Sequence, residues 1–229
     1  MSRGLIVSLD GPASSGKSSA GAGAAQQLGY RFLDTGVLYR GLAWLARDRD
    51  VAAEDIDGLL ALIPDMAVVP DELGQLRHIR VDGADVTDRL HAADVEATVS
   101  QVARQEGLRA ALLPVQRDLA ANGQIIMAGR DIGTVVLPDA DLKLYLDVSV
   151  AERARRRAEE RGIAPDSAQG QELEADLKRR DTIDSTRAVA PLRVPEGAVL
   201  IGGDGHTLAD TVDEIVAAIR AREEELGRA

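Results

Sequence analysis

Apolar residues fall along this chain in two alternating textures. Leu5 to Leu9 (LIVSL) is nearly continuous, as a strand buried on both faces of a parallel sheet requires. A Gly-rich loop follows, and Ser18 to Leu28 then reads as an Ala-rich helix. Tyr30 to Asp34 is a second short strand, and the spacing of Val37, Leu38, Leu42 and Leu45 places Thr35 to Arg47 on a helix. Ile56 to Ile63 is a further helix. Between Asp65 and Val86 the pattern changes to short β-like pieces around Gly and Asp turns, which predicts a small β insertion. Helical spacing returns from Ala92 to Ala121, with a break expected near Gly107. Ile125 to Ala128 and Leu142 to Val148 are buried strands. Ser149 to Arg161 is an Arg-bearing helix, Gly162 to Gly170 a polar loop with Pro165, and Gln171 to Asp184 helical again. Ala198 to Gly203 and Leu208 to Leu226 give a last strand and a last helix. Strands alternating with helices predict an α/β fold, a parallel sheet with helices on both faces. There is no internal repeat.

Composition narrows the partners. A chain of 229 residues fits one domain with an insertion, or one large and one small domain. Aromatics are only 2%, so the core is built from Ala, Leu, Val and Ile, and an aromatic platform for single-stranded nucleic acid is disfavoured. The net charge of −11 argues against nonspecific binding to nucleic acid or to anionic membranes. Any anionic ligand must then be held by a local cluster of Arg and Lys. The absence of Cys excludes disulfides and thiolate metal sites. The opening MSRGLIVSLDG carries too short an apolar run for a signal peptide, and no stretch reaches the roughly 20 apolar residues of a membrane span, so a cytoplasmic location is expected.

The loop GPASSGKS, Gly11-Pro12-Ala13-Ser14-Ser15-Gly16-Lys17-Ser18, stands between an apolar strand and a helix. That context defines a GxxxxGK[ST] phosphate loop. Gly11 and Gly16 let backbone N–H groups turn toward phosphate oxygens, and the helix N-terminus adds partial positive charge. Lys17 is placed to reach the β- and γ-phosphates of ATP, and the Ser18 hydroxyl to ligate Mg²⁺; Ser19 continues the helix start. A GTPase would need an Asn-Lys-x-Asp element, but the only Asn is Asn122, in ANGQ. A motor or transport ATPase needs more chain. A small-molecule kinase fits, provided a second anion pocket exists. A non-catalytic ATP-sensing module is the alternative.

Candidates for that pocket lie at strand ends. LDTGVLYRG places Thr35 and Arg40 beyond the second strand; Thr35 suits either a ligand contact or a helix cap, and Arg40 either a phosphate grip or an ion pair. AGRDIGTVV puts Arg130 and Asp131 where the chain leaves the strand at Ile125 to Ala128, at the carboxyl edge where ligands of α/β sheets bind. A guanidinium can clamp phosphate and a carboxylate can accept from an exocyclic amine. SQVARQEGLRAAL offers Ser100 and Arg109. ERARRR sets Arg153, Arg156 and Arg157 on one helical face, facing solvent with Glu159 and Glu160 or serving as a phosphate clamp. RRDTIDSTRAVAPL adds Arg180, Asp184 and Arg187 at i, i+4 and i+7.

Taken together, LDGPASSGKSS, LDTGVLYRGLAW, GADVTDRLHAADVEATVSQVA, GRDIGTVVLPDADLKLYLDVS, ERARRR and RRDTIDSTRAVAPL run in the order found in bacterial cytidylate kinases, which the chain resembles from residue 5 to about 192. The resemblance implies ATP-dependent phosphorylation of CMP and dCMP in pyrimidine nucleotide metabolism. A kinase for another nucleoside monophosphate or small molecule is the alternative. It also implies a monomer with a core at about 1–64, 92–150 and 190–229, an insertion in the acceptor-binding part at 65–91, and a lid at 151–189. Carried over by motif, Thr35, Arg109 and Asp131 recognise cytosine. Ser100, Arg180 and Asp184 lie at the ribose. Arg40, Arg130 and Arg187 hold the acceptor phosphate, with Arg187 able to reach the base instead, and Arg153 and Arg157 belong to the lid. Lys17, Arg130, Arg153, Arg157 and Arg187 are then the catalytic cations. Two departures stand out: Ala128 occupies the position just before GRD where the family usually carries an acid that helps hold the Mg²⁺ water shell, and Leu90-His91 replaces a common Ile-Arg.

Overall fold

The structure is a computed structural model and describes residues 4–72 and 74–227. The first three residues of the apolar opening lie outside the described residues. The chain divides into two compact units, 1–30 with 123–229, and 31–122.

In the first unit β1 (Ile6–Asp10), β6 (Ile125–Gly129), β7 (Leu142–Asp147) and β8 (Val199–Gly202) run parallel in the order β6-β1-β7-β8. Val7, Leu9, Ile125, Ile126, Met127, Ala128 and Leu144 are fully buried, which is why these strands read as unbroken apolar runs. Helix α1 (Lys17–Leu28) packs on α8 (Leu208–Glu225). Ala20, Ala24 and Ala25 supply the small face of the one, and Val212, Ile215, Val216 and Ile219 the branched face of the other. The start of α8 is fixed by a capping box between Thr207 and Asp210. At the outer end of the sheet β8 is an edge strand, and Val199 and Leu200 on it are exposed. Helix α6 (Val150–Glu160), capped by Ser149, packs against α7 (Ala168–Thr186), capped by Ser167.

The second unit holds β2 (Arg31–Asp34), β3 (Met66–Pro70), β4 (Leu76–Val81) and β5 (Ala84–Asp85). β4 pairs with β2 in parallel and with β3 and β5 antiparallel. Helix α2 (Gly36–Asp48) packs on α4 (Ala93–Val102), and α3 (Ile56–Leu62) on α5 (Glu106–Ala120). Short strands do fill the 66–85 segment, and Arg49 ties the open end of the β3–β4 pair by donating to Asp65 at 2.5 Å and Asp82 at 2.8 Å. The structural units divide the chain differently from the expected core: 31–64 and 92–122 fall with the insertion.

One expectation shifts. The helical break lies at Ala103 to Gln105, because Gly107 sits in the first turn of α5, where a glycine costs little. The segment after Arg130-Asp131, to which the sequence assigned no element, is a π-helical turn (Ile132–Val136). Among the described residues no helix is long and apolar enough to cross a membrane.

Candidate active site

All four strands of the first unit are parallel, so their carboxyl ends share one edge. The phosphate loop leaves β1 there, Arg130 and Asp131 follow β6, and Ser149 and α6 follow β7. Ligands of such sheets bind at this edge.

The loop is held by close backbone approach. A Cβ at Gly11 would lie 2.5 Å from the Leu146 carbonyl oxygen, so only glycine lets β1 turn beside β7. Ser14 is left-handed with φ 57, a conformation that costs a non-glycine residue energy and is common where a loop is shaped for a ligand. Lys17 is buried, and its ammonium donates to the Pro12 carbonyl at 2.6 Å and to Ser15 Oγ at 3.1 Å. It thus lies across the mouth of the loop. Ser18 and Ser19 are exposed in the first turn of α1.

The Arg-rich arm resolves into separate tasks. Arg157 donates to Ser14 Oγ of the phosphate loop at 3.3 Å. Arg153 does not fit the lid role expected of it. It is 2% exposed and donates to Val148 O at 3.0 Å, Ala13 O at 2.9 Å and, in a fork, to Asp181 at 2.5 and 3.2 Å. It pins the loop backbone to α6 and α7 rather than serving as a mobile phosphate clamp. Arg156 turns to the Gly203 and His206 carbonyls, so the three cations do not act as one face. Glu159 pairs with Arg155.

The acceptor candidates of this unit form two guanidinium–carboxylate pairs. Arg130 donates to Asp184 at 2.8 Å, and Arg187 donates to Asp131 at 3.3 Å and to the Ala190 carbonyl at 2.5 Å. Asp131 and the Arg187 side chain are buried. Four of the acceptor residues read from the sequence are therefore in direct contact, two by two. Arg180 is half-buried on α7, in the turn before Asp184.

In the second unit Thr35 is buried at the start of α2 but makes no side-chain cap bond; Asp34 instead accepts from the Gly36 N–H at 2.9 Å. Arg40 pairs with Glu96 at 3.2 Å, and His91 lies 3.8 Å from the same carboxylate, as a surface residue. Arg109 is buried, with its guanidinium 5.3 Å from the centre of the Tyr39 ring and a donated bond to the Ala103 carbonyl at 3.1 Å. Ser100 is half-buried on α4.

The donor set suits Mg²⁺. Among the described residues no cluster of three His, Cys, Asp or Glu could cage a metal. A hydroxyl such as Ser18 beside a phosphate loop matches an ion that takes one or two protein oxygens and completes its shell with phosphate oxygens and water. Ala128 is fully buried on β6 and contributes no oxygen from its side chain.

Sequence reading passed over Asp10, the last residue of β1. It is fully buried and accepts from the Ile132 and Gly133 N–H groups at 2.8 and 2.7 Å. Burial pushes its carboxyl up to about 6, opposed by those two bonds. The signal was present: an acid ending an otherwise apolar strand.

A phosphate loop fed by the central strand of a parallel sheet, with Lys and Arg groups gathered at the same edge, defines a P-loop kinase. The fold agrees with a solved gluconokinase from Sinorhizobium meliloti, at a TM-score of 0.53 over 99% of this chain and 97% of that one, with 15% identity. The cytidylate kinase family model matches residues 7–221, and the chain belongs to that family. A cytidylate kinase of an Exiguobacterium species is 45% identical over 99% of both chains. A bifunctional pantoate ligase/cytidylate kinase of a Synechocystis species is 43% identical over 92% of this chain. The chain spans only 42% of that protein, less than half the length of such bifunctional relatives.

Proposed function

We propose that this protein transfers the γ-phosphoryl group of ATP to CMP and dCMP, giving CDP and dCDP. The observation that carries the reading is the pairing of Arg130 with Asp184 and of Arg187 with Asp131 at the strand edge that bears the phosphate loop, in a member of the cytidylate kinase family.

The loop N–H groups and Lys17 hold the β- and γ-phosphates of ATP. Mg²⁺ bound at Ser18 would supply charge for the phosphate oxygens. Arg130 and Arg187 exchange their carboxylate partners for the acceptor phosphate, which leaves Asp131 able to accept from the cytosine amine and Asp184 to meet the ribose, with Arg180 beside it. In the second unit, family likeness assigns Thr35 and Arg109 to the base, Ser100 to the ribose and Arg40 to the phosphate. Arg157 at Ser14 stands where charge spreads onto the moving phosphoryl group. Transfer of this kind depends on cations and water exclusion more than on a base.

A coupled assay across CMP, dCMP, UMP, AMP, GMP and dTMP tests the reading. CMP and dCMP are expected to be the best acceptors; equal rates with AMP or dTMP would remove the cytidylate assignment. CMP with ATP yielding no CDP at any Mg²⁺ concentration would favour an ATP-sensing module.

A further inference from the structure

Asp10 belongs neither to the phosphate loop nor to the acceptor pairs, yet it directly precedes the loop and bonds to the two residues that follow Arg130 and Asp131. Its Cα pairs with Gly129 across the β1–β6 ladder, and the residue after it is Gly11. Its two carboxylate oxygens take separate N–H groups, one from Ile132 and one from Gly133. These residues open the π-turn directly behind Arg130 and Asp131. The first N–H groups of a helical turn have no partner within the turn, so an anion from a neighbouring strand caps it. Bonds of this kind to an ionised oxygen are short and strong.

The contact has no slack. A Cβ at Gly133 would lie 2.6 Å from Ser8 Oγ, 2.9 Å from Pro195 Cγ and 3.2 Å from Asp10 Oδ2. The turn is thus seated against β1 at the point where β1 becomes the phosphate loop. Burial of Asp10 opposes its charge, and the nearby Asp131 adds to that, while Lys17 and the two N–H groups favour it. A buried charge retained against that cost needs a reason, and a neutral residue would serve a purely structural core position at lower cost.

We propose that Asp10 is a positioning residue for the acceptor: its carboxylate fixes the turn at Ile132 and Gly133 and so sets Arg130 and Asp131 in place beside the phosphate loop. This deepens the kinase reading above and rests on it. It assigns to one side chain the register between donor and acceptor groups of the first unit.

The test uses Asp10→Asn, which keeps the shape and one acceptor oxygen but sets an NH₂ against the second N–H, and Asp10→Ala, which removes both acceptors. Steady-state constants for CMP and ATP are measured beside equilibrium ATP binding without CMP, and a thermal melt confirms folding. The Asn variant is expected to lose about tenfold in kcat/KM for CMP, and the Ala variant more, while ATP affinity stays within about twofold. Equal losses for ATP and CMP, or wild-type constants for both, would overturn the proposal. Should neither variant fold, amide exchange in the wild-type protein decides: the Ile132 and Gly133 protons are expected to stay protected when CMP binds, and loss of that protection on binding would sink the idea. A wild-type protein that makes no CDP removes the kinase reading itself. One that turns over while the Asn variant matches it removes only Asp10.

Discussion

The phosphate loop and the Arg-rich arm sit in the same unit and serve the same proposed reaction, but they do it by different means. The loop works through backbone: a glycine at position 11 where a side chain would collide, a left-handed glycine at position 16, a strained serine, and a lysine folded back onto a carbonyl. Such a device depends on residue type at fixed spacing, so it appears in the sequence as a motif. The arm works through side chains whose roles depend on what they meet. Arg153, Arg156 and Arg157 look equivalent on a helical wheel, yet one is buried in a fork with Asp181, one binds carbonyls near β8 and one reaches Ser14. A cation's job is set by its partner, and the partner comes from another part of the chain.

That contrast can be tested by substitutions on either side of it. The largest effect is expected for Lys17→Met, which should lower kcat by at least about 10³-fold while the melting curve stays near wild type; retained turnover would refute its role at the phosphates. Arg153→Ala should act on stability instead. Removing the buried Arg153 leaves the half-buried Asp181 and the Val148 and Ala13 carbonyls without this donor, at about 2 kcal/mol in a denaturant titration. A wild-type midpoint would return Arg153 to the mobile lid. Asp131→Ala should raise KM for CMP by about tenfold or more with ATP binding little changed; unchanged CMP constants would take it out of the acceptor site.

A pH-dependent effect on stability is expected at Asp10. Its carboxyl is raised from the ordinary 3.8 to about 6 in the folded state by burial. A raised acid favours the folded state below the ordinary value, and that contribution is lost as pH climbs through the folded value. Relative to Asp10→Asn, which does not titrate, the wild type should therefore lose stability between about pH 4 and pH 7, by at most about 3 kcal/mol. Melting temperatures of the two proteins across that range check the sign; a gap that grows in favour of the wild type would contradict it.

How much was legible follows the same division. Apolar runs located β1, β6, β7 and β8 to within a residue or two; β1 and β6 are buried on both faces and leave few polar positions to confuse, while the edge strand β8 was legible from its apolar run alone. The Gly and Asp turns betrayed the insertion. Gly107 misled because a glycine reads as a break wherever it stands, and only the three-dimensional helix start shows that it lies inside one. The turn at Ile132–Val136 had no signature in the sequence, because the carboxylate that accepts its first N–H groups, Asp10, lies more than a hundred residues away. Arg130 with Asp184 and Arg187 with Asp131 are separated by more than fifty residues in sequence, so family likeness named them singly and only the fold shows who holds whom.

The exposed edge at β8 bears on how the protein behaves in bulk. Val199 and Leu200 stand 44% and 60% exposed on a strand with one side of its ladder open, a template for strand addition by another copy. At neutral pH the charge of −11 keeps copies apart. Near the isoelectric point of about 4.8 that repulsion disappears, and the open edge becomes the adhesive. Turbidity should then rise as pH approaches that value, and Leu200→Lys, which plants a charge on the edge, should keep the solution clear.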